Sequence, residues 1–271
     1  MFSILFVLIS HTPLLFLKAI SFIFYIFATT FKVSHLKITE KNINHCFGKD
    51  KELMRKSFRE TIELSLIFPY VWGKKDNYKK LIDPDYIENI STENDRPKIF
   101  FTLHMGCVDI IIFVLSELLS QIDVLYTPVK NKTLEEKLLK IRQRQGGSMF
   151  PATPNGVKNF FKNFIGQNNI LIASDLVPHK KGVYEKFFDK ECFCIDLVEK
   201  LSSKGTHDLH FIYLTKGKKN KYKLVCKKVK TKITTLEMNA LFEEAILTAP
   251  ELYSWEYKKF KKPRTNSGNI Y

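Results

Sequence analysis

His104 and Asp109 are, by residue type and spacing, a pair suited to moving a proton. An imidazole whose Nδ1 is held by a carboxylate is oriented and made more basic, which leaves Nε2 to take a proton from a hydroxyl. On a continuous helix the five-residue separation amounts to about 500° of turn, and the two side chains would face apart. A strand-to-helix turn containing Gly106 removes that objection, because the chain can fold back there and bring carboxylate to imidazole. No serine or cysteine nucleophile is needed if a substrate hydroxyl attacks directly. The competing structural role for Asp109 is a helix-start carboxylate favoured by the dipole. A second polar pair, Ser174-Asp175, also follows an apolar run.

The elements that must position these groups are short strands. Residues 99–103, Ile-Phe-Phe-Thr-Leu, read as a strand covered on both faces and end directly before His104. A helix over 110–119 and a strand over 122–126 come next. Thr133 and Glu136 form a capping-box pattern for a helix carrying Leu134, Leu138 and Ile141, which Gly146 and Gly147 stop. Thr153-Pro154 opens another, with Val157, Phe160, Phe161 and Phe164 at helical spacing and Gly166 at its end. Residues 170–173 form a strand leading to Asp175, and 209–214 and 222–229 flank a Lys-rich turn as a hairpin. Upstream, 49–72 has a helical pattern that grows more apolar towards Pro69, and 83–97 reads as a polar connection. The alternation predicts an α/β fold, a sheet with helices on its faces, in which function gathers at the carboxyl ends of strands.

Residues 1–31 carry one formal charge, Lys18. The run 14–31 is nearly all apolar, and at ~1.5 Å per residue it extends about 27 Å, close to the ~30 Å of a bilayer's hydrocarbon. Pro13 marks a break before it, and no small-residue cleavage site precedes it. The expectation is a membrane anchor over 1–31 and one domain over 32–271, held on the cytoplasmic side by Lys32, Lys37 and Lys41. A buried core helix is the alternative. With 271 residues and 45% hydrophobic content, disorder is excluded, and five scattered cysteines exclude a disulfide scaffold. The net charge of +15 calls for an anionic partner: nucleic acid, an acidic protein or an anionic membrane.

Taken in order, several segments resemble the bacterial late acyltransferases of lipid A biosynthesis, the lauroyl/myristoyl family. The apolar N-terminus is followed by Asn42-Ile43-Asn44-His45-Cys46-Phe47, similar to that family's anchor and its N-I-x-x-C-F segment. His104 to Asp109 resembles the catalytic His-x4-acid motif of glycerolipid-type acyltransferases. Residues 131–147, with Arg142 and Arg144, resemble the segment that holds the functional arginine. Residues 170–175 resemble a strand ending in proline-aspartate, with Ser174 in place of the proline, and 183–188 the stretch after it. Ala249-Pro250-Glu251-Leu252-Tyr253-Ser254-Trp255 is similar to the ending A-P-E-Q-Y-x-W, and Lys258 and Lys259 stand where arginines are expected.

The resemblance implies a glycerolipid-acyltransferase-like fold and transfer of a fatty acyl chain from acyl carrier protein to a hydroxyl of a lipid A precursor at the inner membrane. His104 is then the general base, Asp109 orients it, and Arg142 stabilises the oxyanion, with Arg144 as the fallback. Arg144, Asp175 and Gly106 are the expected substrate-binding positions. No cofactor or metal is implied, acyl carrier protein being a substrate. Cys192 and Cys194 lack companions at zinc-site spacing and read as core thiols, and the Phe160, Phe161 and Phe164 stripe reads as helix core before acyl channel. Two further classes stay open: a lysophospholipid or aminolipid acyltransferase with the same chemistry, and a non-catalytic membrane-attached binder of acidic partners. Nucleic acid is set aside, because no basic-aromatic module is present.

Overall fold

Every residue of the strand before His104 is buried, as a strand sandwiched between two helical layers must be. The computed structural model describes residues 2–83, 96–119, 121–265 and 268–271. In chain order its main elements are α1 (Phe2–His11), α2 (Leu14–Thr30), α3 (Ser34–Phe47), α4 (Lys51–Gly73), β1 (Lys98–Thr102), α5 (Asp109–Leu118), β2 (Asp123–Tyr126), α6 (Lys132–Gln143), β3 (Ser148–Pro151), α7 (Pro154–Ile165), β4 (Ile170–Ala173), β5 (Val183–Phe187), β6 (Lys190–Cys194), α8 (Leu197–Ser202), β7 (Asp208–Lys216), β8 (Tyr222–Lys228) and α9 (Thr235–Thr248).

Six strands form one sheet in the order β3-β2-β4-β1-β7-β8, parallel except for β8, which pairs antiparallel with β7 at the edge. The α/β class and the mixed sheet flanked by helices are therefore as expected. Alternate residues of the central strands feed two cores. Ile99, Phe101, Ile172 and Phe211 pack with Phe160 and Phe164 of α7 and Phe242 of α9. Phe100, Leu171 and Ile212 pack on the opposite side with Ile67 and Val71 of α4 and Ile110 and Phe113 of α5. Phe160 and Phe164 are thus core, and so are Cys192 and Cys194, whose Sγ atoms lie 3.1 Å apart. The chain leaves β1 through α5 towards β2 on one side and leaves β4 towards β7 on the other. The seam between β1 and β4 is a topological switch point.

Some local expectations are corrected. The N-cap of α6 is Asn131, whose Oδ1 accepts from Leu134 N at 3.0 Å, so Thr133 and Glu136 form no capping box. Instead, Glu135 takes hydrogen bonds from Tyr126 OH and Val129 N. Strand β3 and the separate hairpin β5–β6 were not anticipated. The connection over 83–97 falls largely outside the described residues.

The N-terminal apolar run breaks at Pro13, which precedes the 17 residues of α2. Among the described residues no single helix is long and apolar enough to cross a membrane, and only α2 taken with α3, bent by 81°, passes by length and composition. Leu17, Ser21 and Ala28 are the buried positions of α2, which packs on α4, and Lys18 pairs with Glu63 of α4 at 3.5 Å. Its other face leaves Leu15, Phe16, Ile23, Phe24 and Phe27 exposed, with Phe31 just beyond.

Candidate active site

Strand register brings the two polar strand ends together. In the β1–β4 ladder Thr102 stands beside Ala173, and Ser174 N continues it by donating to Thr102 O at 2.9 Å. Two residues further on, His104 and Asp175 are level. His104 Nδ1 donates to Asp175 Oδ1 at 2.7 Å and His104 N to Asp175 Oδ2 at 3.0 Å. This bidentate grip fixes both the backbone and the ring, leaving Nε2 as the nitrogen for chemistry. Burial disfavours the imidazolium, but the charge and hydrogen bond of Asp175 outweigh it and hold the His104 pKa above its ordinary value. Burial likewise raises Asp175, and His104 together with Lys259 outweighs it, so the carboxyl lies below its usual range.

The expected His104–Asp109 pairing is therefore corrected: Asp175, 71 residues away, holds the ring. Asp109 is the first residue of α5 and is buried. Its Oδ2 accepts from Trp72 Nε1 at 2.5 Å and from Arg142 Nε at 3.2 Å. It remains close enough for its charge to favour the protonated imidazole. Arg142 reaches back from the last turn of α6 over the Tyr126 ring, its guanidinium oriented by Asp109.

Arg144, two residues on, is turned elsewhere. Its Nη1 donates to Trp72 O at 2.5 Å, and its Nη2 donates to Val71 O and Lys74 O, each at 2.8 Å. These are carbonyls at the C-terminal end of α4, groups left without intrahelical partners, and the guanidinium caps them. The same group lies over the Phe113 ring. The structure thus places Arg144 as a cap on α4 and not on the wall of either of the two cavities that meet at His104.

Gly106 has φ +65, and a Cβ there would stand 2.9 Å from Tyr222 Cε1, so the turn requires glycine. Its N–H donates to Leu252 O at 2.8 Å, and the residue lines the cavity between α4, the His104 loop and the 254–256 segment. Ser254 N donates to His104 O at 3.0 Å, and Met105 bridges Tyr253. Segment 249–255 thus lies along the His104 loop like a short antiparallel strand. Behind it Asn42 Nδ2 donates to Trp255 O at 2.7 Å and Tyr257 O at 2.8 Å, and Phe47 stands edge-on to Trp255. Lys259, 2% exposed, donates from Nζ to Asp175 O at 2.6 Å.

Two cavities meet at His104. One of about 260 Å³ has a largely apolar wall that includes Ile112, Val124, Leu171 and Leu197, with His104, Asp109 and Arg142 facing it. The other, about 330 Å³, lies between α4, the His104 loop and the 254–256 segment. Both share Phe68, His104 and Val108.

A family model described as bacterial lipid A biosynthesis acyltransferase matches residues 1–262, spanning both strand ends, α4 and the segment over the His104 loop. The chain belongs to this family. A search of curated proteins finds no match. Membership makes acyl transfer the chemistry to be explained, with a lipid acceptor and an acyl donor. In this acyltransferase, sequence patterns alone did not show the contacts made by Trp72, Asn42 and Lys259. The Asn42 segment and Lys259 were visible as family-like text, but the contacts of Lys259 with Asp175 and of Asn42 with the C-terminal segment cross 84 residues and 213 to 229 residues of sequence. No spacing rule reports such contacts.

Proposed function

We propose that the protein is a membrane-associated late acyltransferase that moves a fatty acyl chain from the thioester of acyl carrier protein to a hydroxyl of a lipid A precursor. The observation that carries this is the His104–Asp175 grip at the mouth of an apolar cavity faced by Arg142. His104 Nε2 takes the proton from the acceptor hydroxyl as its oxygen attacks the thioester carbonyl. Arg142, held by Asp109, supports the oxyanion. The tetrahedral intermediate then expels the carrier thiolate, and the imidazolium returns the proton to it. A base whose pKa is raised towards the working pH suits both transfers.

The exposed apolar face of α2 favours seating that helix in the bilayer interface with its axis along the surface. The charge of +15 suits both an anionic leaflet and an acidic carrier protein. Domain 32–271 then presents its strand ends to lipid from the cytoplasmic side of the inner membrane. The test supplies purified protein in vesicles with acyl carrier protein loaded with labelled fatty acid and a lipid A precursor. Label appears in the precursor with the wild type and not with His104→Ala. Undiminished transfer by that variant overturns the mechanism, and transfer to a lysophospholipid but not to the precursor overturns the acceptor.

A further inference from the structure

The second cavity at His104 has a different chemistry from the first. Its wall combines the hydroxyls of Thr61, Ser65 and Ser254 with the carboxyl of Glu256, next to Leu64 and Phe68. Glu256 Oε2 accepts from Thr61 Oγ1 at 3.0 Å. Burial pushes its pKa up, against the opposing pull of its own N–H, Thr61, His35 and His104. Besides this bond to α4, the segment has anchors that involve no carboxyl. Neighbouring Trp255 anchors the segment through Nε1 to Pro250 O at 2.7 Å and through its carbonyl to Asn42. A partly buried carboxyl with a hydroxyl as its hydrogen-bond partner costs desolvation that an aliphatic side chain would avoid. Its position explains it: the same imidazole that faces the apolar cavity also faces Glu256.

We infer that this second cavity receives the acceptor and that Glu256 determines its specificity. It accepts a hydrogen bond from an O–H or N–H of a sugar-like head, beside the hydroxyl that His104 deprotonates. Glu256 takes no proton in the transfer; it positions the acceptor. This rests on the acyl-transfer function proposed above and adds the side of His104 from which each substrate comes: acyl chain through the apolar cavity, hydroxylated head through the polar one. A carboxylate hydrogen bond of this kind discriminates strongly between acceptors that carry the donor group and those that lack it.

The experiment measures KM for a disaccharide lipid A precursor and for a lysophospholipid, and KM for acyl carrier protein thioester, in the wild type, Glu256→Gln, Glu256→Asp and Glu256→Leu. We expect Glu256→Leu to raise the disaccharide KM about 10- to 100-fold, Glu256→Gln and Glu256→Asp to raise it less, and the preference for disaccharide over lysophospholipid to fall in step. The thioester KM stays within about threefold, and thermal melts report that the variants are folded. An unchanged disaccharide KM in Glu256→Leu overturns the assignment while leaving the acyl-transfer function intact. A raised thioester KM in its place assigns the cavity to the donor and also overturns it. Should the wild type transfer to neither acceptor, both the function and the subsite fall together.

Discussion

The two ends of the central strands carry much the same residue types and use them differently. At the amino end, Asp208 is buried between Arg96 at 3.5 Å and Lys228 at 2.8 Å. His207 bonds Thr206 Oγ1 and Asn168 O and stacks on Phe164, while Asn163 and Asn168 both donate to Asp123. His210 lies in β7 against Phe100, and burial with Lys98 nearby pushes its pKa down to about 4. None of these groups lines either cavity at His104. At the carboxyl end, the His104–Asp175 pair is equally well bonded on one side but opens onto two cavities on the other. Buried histidines and buried carboxylates therefore occur at both ends of this sheet, and a histidine bonded to a carboxylate with an open face at the end of β1 distinguishes the site.

Removing His104 tests this contrast most severely. His104→Ala should lower turnover by about 10³-fold, within the range for loss of a general base, whereas His207→Ala should leave turnover per folded molecule within about twofold and lower stability by roughly 1–3 kcal/mol. Acyl-transfer assays beside thermal melts measure both, and comparable losses of turnover would erase the distinction between the ends.

Asp175→Asn comes next, with an expected loss of about 10²-fold and a displaced pH profile. Only the neutral imidazole can accept the proton, so kcat/KM rises with pH through the His104 pKa, which Asp175 holds above the ordinary 6.5. Without the carboxylate charge that limb moves to lower pH. A limb that stays in place would show that Asp175 does not tune the ring.

The arginine pair separates cavity from scaffold on a single helix end. Arg142→Lys should lower turnover about tenfold or more with little change in melting, since the ammonium cannot reproduce the fork. Arg144→Lys should leave turnover intact and lower stability by about 1 kcal/mol through the α4 cap. The reverse outcome would exchange their roles.

With no expected effect on turnover, His210 tests the closed end through stability alone. Its native pKa of about 4 lies below the 6.5 of the unfolded chain, so below pH 6.5 the unfolded state binds the extra proton. Stability should fall as pH drops from 6.5 towards 4 and level off below, and denaturant titrations of His210→Gln should lose that component.

Much of the layout was legible because β1 and β4 are short apolar runs, β7 and β8 flank a Lys-rich turn, and Thr153-Pro154 opens α7 as its cap chemistry dictates. The site was legible only in part. His104 stood out because it follows an apolar strand, but its partner is set by the register of β1 against β4, a long-range property that spacing does not encode. Asp109 was the nearer carboxylate in sequence, and its start-of-helix position turned it towards Trp72 and Arg142. Arg142 and Arg144 are indistinguishable by type, and the helix end between them sends one into the cavity and the other to α4. Strand β3, at four residues and ending in Pro151, carries too little pattern to be seen.

The segment over the His104 loop also has a consequence in time. Synthesis delivers His104 and Asp175 well before residues 249–259, which hold the loop through Leu252 and Ser254 and the Asp175 carbonyl through Lys259. At roughly 5–20 residues per second, that gap lasts on the order of several seconds. During it a nascent chain already carries its proton-handling pair but lacks the strap that sets their geometry, so competence arrives with the late segment.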